Sequence, residues 1–63
     1  SPEKLLNFQS KKILYIFKQK SEIYKIVDKY KVISILKSKE MIKENSNFLF
    51  KLLNAKIFID ANS

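Results

Sequence analysis

Few residues in this chain could do chemistry. Glu40 and Glu44 stand four apart, and on a helix they share a face. Paired carboxylates can pass a proton or hold a cation. These two are embedded among Lys37, Lys39 and Lys43. Their expected role is a solvated charged face, with a weak cation site or a contact for a basic partner as the alternative. Glu22, and Asp28 near Lys25 and Lys29, read as ordinary helix-surface charges. Seven serines supply hydroxyls, but the chain has no histidine to activate them. A Ser–Lys pair is chemically possible, yet no spacing suggests one. Without His or Cys the usual zinc, haem and iron–sulfur sites are excluded. Without Gly there is no glycine-rich phosphate loop or dinucleotide fingerprint. The expectation is a non-enzymatic chain with no catalytic residue, no cofactor and no metal.

The sharpest charged feature is basic. Thirteen lysines, six acidic residues and no arginine give a net charge of +7. Lys4, Lys11 and Lys18 recur every seven residues, and with Lys12 and Lys20 they make one side of a first helix basic. Such a side can track a phosphate backbone or lie on an anionic membrane. Tyr15 and Phe8 beside it can stack on bases. Lysine lacks the planar fork of arginine that favours base readout and bidentate phosphate clamps. The basicity therefore suits diffuse attraction, or the wet face of a packed helix in a lysine-rich composition. Lys4, Lys11, Lys12 and Lys18 are the candidate anion-binding residues. Nucleic acid ranks ahead of membrane. The stretch from Ser38 to Lys56 is too compact for a helix-turn-helix and carries no glycine at a turn.

Helices must position these residues. The fold class read from the pattern is all-α: a small three-helix or four-helix bundle, or a helical hairpin, completed by oligomerisation or a partner. Its 63 residues form a single domain with helices near 2–20, 22–36 and 39–56. Ser1-Pro2-Glu3 is a helix start. Leu5, Leu6, Ile13, Ile16 and Phe17 then share one stripe. Ser21 can cap a second helix, with Glu22 in its first turn. Its stripe is Ile23, Ile26, Val27, Tyr30 and Ile33, while Val32, Ile35 and Leu36 fall on the opposite face. Residues 31–36 and 57–59 are β-branched enough to be extended, but two strands alone are marginal. Ser38 can cap another turn, and Lys43 to Asn47 is the best loop or kink. Ser46 or Asn47 can cap a last helix, along which Phe48, Leu49, Leu52, Leu53 and Lys56 follow helical spacing. The longest apolar run, Ile13 to Phe17, is far short of the roughly 20 residues a membrane span needs. No signal peptide is visible, and a start at Ser-Pro reads as a processed chain or an excised fragment. Nothing points to a compartment.

The hydrophobic residues outnumber what one small core can hold. Twenty-nine of the 63 residues are hydrophobic, 27 of them large. Three helices with ordinary stripes would use roughly 18–20 core positions. Phe8, Tyr15, Tyr24, Val32, Ile35, Leu36, Phe50 and Phe58 stand off the stripes, and of these Phe8, Tyr15, Tyr24, Leu36, Phe50 and Phe58 are the candidate partner-binding residues. A second helix buried on both sides would absorb some of them. Clustered exposed aromatics otherwise mark interfaces, and small scaffolds without disulfides or metals often assemble. The function expected from sequence is a protein–protein interaction or self-association module with a lysine rim. The alternative is a binder of anionic surfaces.

Overall fold

A computed structural model describes residues 7–63. The expected helix start at Ser1-Pro2-Glu3, together with Lys4, Leu5 and Leu6, lies outside the described residues. Four α-helices and one 3-10 turn follow one another, with no strand among the described residues. They are α1 (Lys11–Lys18), the 3-10 turn (Glu22–Lys25), α2 (Lys29–Leu36), α3 (Lys39–Glu44) and α4 (Ser46–Ala61). Residues 31–36 and 57–59 are thus helical, so the all-α class holds.

Serine and aspartate punctuate a chain that lacks glycine. The Ser10 hydroxyl accepts the Ile13 N–H and starts α1. Ser21 accepts the Ile23 N–H and starts the 3-10 turn. The Asp28 carboxylate accepts the N–H groups of Tyr30 and Lys31 and starts α2. Ser38 accepts the Met41 N–H and starts α3. Each cap satisfies an orphan donor at a helix start, worth about 1 kcal/mol. These caps divide the chain more finely than the sequence pattern does. Residues 7–10 form a turn ahead of α1, so no helix runs unbroken over 2–20. The stretch 22–36 is split at Asp28, and 39–56 is split at Asn45. Asn45 occupies the cap position of α4, in place of Ser46 or Asn47. Its side chain makes no cap bond there and instead donates to the Met41 carbonyl.

The core is Phe8, Ile13, Phe17, Ile23, Val32, Leu36, Ile42, Leu49, Leu52 and Leu53. Every element contributes to it, so no helix folds alone. Phe17 and Leu49 are wholly buried and sit at its centre. α4 packs on the 3-10 turn and α3, and α2 packs on α1 and α3. The Cα radius of gyration is 11.0 Å, close to the roughly 11 Å of a compact domain of this length. An extended hairpin or long rod would be far larger.

Candidate functional site

Where α4 meets the 3-10 turn, three polar side chains converge. The Ser21 hydroxyl donates to Asp60 Oδ1 at 2.7 Å while accepting the Ile23 N–H. Lys56 Nζ donates to Asp60 Oδ2 at 2.8 Å. Lys56 sits among the leucines of α4 and is buried, whereas Asp60 is a third exposed. A buried ammonium needs a charged partner, and Asp60 one helical turn on supplies it. The hydrogen bonds from Lys56 and Ser21 hold the Asp60 carboxyl below the usual carboxylate range, against its partial burial. The serine hydroxyl is engaged on both sides and the lysine is ion-paired. The arrangement clasps the 3-10 turn to α4 and leaves no activated nucleophile. Sequence spacing placed Lys56 correctly on the inner face of α4 but gave no sign of Ser21, which lies 39 residues from Asp60.

The residues expected to contact a partner divide into three groups. Phe8 and Leu36 are in the core, which corrects their assignment to the surface. Phe8 folds inward from the turn ahead of α1, and Leu36 lies with Val32 on the inner face of α2. Tyr24 and Phe50 are half-buried against the core. The Tyr24 hydroxyl donates to the Phe17 carbonyl, and Lys29 Nζ lies 5.4 Å from its ring centroid. Burial, and secondarily the negative charge of Asp60, push the Tyr24 phenol up from its ordinary value. Tyr24 is therefore a structural anchor. Tyr15 and Phe58 are exposed, at 65% and 71%. Five further hydrophobes are exposed: Ile26, Tyr30 and Phe48, which helical spacing puts on stripes, and Met41 and Ile57.

α4 carries the largest share of this surface. Leu49, Leu52, Leu53 and Lys56 span an arc of about 100° and face the core. Phe58 lies diametrically opposite Leu49, Ile57 and Phe50 lie on one flank, and Phe48 lies on the other. Asn47, Lys51 and Asn54 are exposed around Phe58, so the outward apolar residues of α4 are interleaved with polar ones. α4 is also poor in free charge: Lys51 is exposed, whereas Lys56 and Asp60 are spent on each other.

The basic candidates are on α1. Lys11, Lys12 and Lys18 are exposed, and α1 contains no acidic residue. Helical spacing puts Tyr15 between Lys11 and Lys18. Lys4 lies outside the described residues. Glu40 and Glu44 are exposed on α3. Among the described residues no three potential metal ligands come together, and no helix is long and apolar enough to cross a membrane. Comparison with protein-family models, curated proteins and solved structures finds no match to this chain.

Proposed function

We propose that the chain is a non-enzymatic self-association module whose homotypic contact is the outward side of α4. The observation that carries this reading is the exposure of Phe48, Ile57 and Phe58 on a helix whose opposite side already fills the core. A second copy suits this face because Lys51 is the single unpaired charge along α4 in a chain of net charge +7. Fully burying a side chain such as Ile57 or Phe58 is worth about 1.5–3 kcal/mol. Association costs about 4–15 kcal/mol in lost freedom and ordering. A contact carried by a few such side chains is reversible and depends on concentration.

The double substitution Ile57→Ser with Phe58→Ser tests the contact. Both side chains are mostly exposed, so the fold should lose no more than about 0.5 kcal/mol per site. Self-association should weaken at least tenfold, roughly the cost of one interface hot spot. A double variant that associates as tightly as the parent would remove α4 from the contact.

A second reading rests on α1, where Tyr15 stands among lysines with no acid in the helix. Binding to a single-stranded polyanion would use Lys11, Lys12 and Lys18 as phosphate contacts. Changing all three to Glu should abolish it. Log affinity should fall with log salt at a slope of about −0.7 per phosphate neutralised. Affinity for an oligonucleotide that is flat with salt would exclude this reading.

A further inference from the structure

We propose that the groove between α2 and α3 docks an acidic segment of another protein by one or two large apolar anchor side chains. The groove encloses about 400 Å³ and is lined by Tyr30, Lys31, Ser34, Ile35 and Met41. This volume is in the lower part of the range for binding pockets, about 300–1,000 Å³, and suits a side chain rather than a cofactor. The inference is independent of the contact assigned to α4.

Local structure explains why the groove exists. Asp28 caps α2 so that Val32 and Leu36 point into the core. Tyr30, Lys31 and Ser34 are thereby turned outward, with Ile35 at the edge. Ser38 then starts α3 directly after the end of α2. α3 is only six residues long, and it lays Met41 beside the outer face of α2 without covering it. Tyr30 is left 86% exposed.

The lining also indicates the chemistry of the occupant. Tyr30, Ile35 and Met41 provide an apolar floor, and methionine adapts its shape to varied apolar anchors. Lys31 is the only charged residue in the lining, and no carboxylate is present. An anchor flanked by Asp or Glu can pair with Lys31 and is drawn in by the +7 field of the chain. Tyr15 and Phe48 of a second copy fit poorly, because they run beside lysines, and Phe58 is already assigned to the α4 contact. Tyr15 lies by Lys11 and Lys18, and Phe48 lies near Lys51.

The test uses the full chain and three synthetic amphipathic peptides of about 15 residues, long enough to form a helix on docking. All carry Leu and Phe four apart; the remaining positions are Glu-rich, Gln-rich or Lys-rich. Binding is read from NMR shifts of the Tyr30, Ile35 and Met41 side chains. The Glu peptide should shift all three. The Gln peptide should bind about tenfold more weakly, and the Lys peptide should not bind. Lys31→Glu and Met41→Gln should each weaken the Glu peptide about tenfold. Tyr30→Ser, at a nearly fully exposed position, should weaken it too and guards against misfolding of the other variants. Ile57→Ser with Phe58→Ser should leave it unchanged, which separates this groove from the α4 contact. The proposal falls if the Glu peptide leaves the groove unshifted at about 1 mM. It also falls if polyglutamate without apolar anchors competes equally, since binding would then be electrostatic only. Shifts confined to α1 or α4 would overturn it as well.

Discussion

Phe17→Ala is expected to leave the chain largely unfolded at room temperature. Phe17 is fully buried at the centre of the core, and its carbonyl accepts the Tyr24 hydroxyl. Deleting a buried phenyl ring costs about 3–5 kcal/mol, part lost transfer energy and part residual cavity. A domain of this length has only about 3–9 kcal/mol of stability in total. There is no disulfide to limit the unfolded state. The control is Phe58→Ala, the same change at a 71% exposed position. It should move the melting temperature by no more than about 4 °C, the equivalent of about 0.5 kcal/mol. Circular dichroism melts of the two variants decide the matter. Equal melting temperatures would mean that the core lies elsewhere.

Asp60→Ala is expected to destabilise the fold more than Lys56→Met. Removing Asp60 strands the buried Lys56 ammonium and frees the Ser21 hydroxyl. Removing the lysine charge while keeping an unbranched apolar stem leaves only Asp60, which is a third exposed and can be hydrated. Breaking a pair from the side that leaves a buried charge is the costly direction. Combining the two changes should recover much of what Asp60→Ala alone loses, because no charge is then left unpaired. The same clasp sets a pH dependence. The folded-state pKa of Asp60 is held below its unfolded value. Its stabilising contribution is therefore present above the unfolded carboxylate pKa of about 3.9 and is lost as pH falls through the folded value. Melting temperatures measured from about pH 6 down to about pH 2 should show the gap between parent and Asp60→Ala narrowing on acidification. A gap that stays constant, or Lys56→Met as the worse substitution, would contradict the clasp.

How far the fold was legible depended on whether helix phase could be followed without interruption. Ser21 and Ser38 sit where their capping chemistry suggests, and of the spacing set Phe48, Leu49, Leu52, Leu53 and Lys56 all but the exposed Phe48 form the inner face of α4. The second helix was misread because one phase was carried from Ile23 through Ile33. Asp28, read as a surface charge, ends that phase by capping α2. The register restarts, so Val32 and Leu36 turn inward and Tyr30 turns outward. Neither expectation for this segment holds unchanged: α2 buries Val32 and Leu36, packs Ile33 and Ile35 against the core on either side of them, and exposes Tyr30. Phe8 was misplaced for the same reason, since the Ser10 cap separates it from the phase of α1. The clasp was hidden for another reason. Asp60 and Lys56 are local neighbours, but Ser21 reaches them only through tertiary packing. The exposed surface was legible as a surplus of hydrophobes, though only Tyr15 and Phe58 of the named candidates lie openly on it.

The central claim, homotypic contact through α4, is tested most directly by light scattering over a concentration series at low and high salt. The single chain has a mass of 7.5 kDa. The account predicts a mass that rises towards twice that value with concentration. The rise should begin at lower concentration in high salt, because screening the lysines removes repulsion while the apolar contact is retained. A constant mass of one chain across the series at both salts would contradict it.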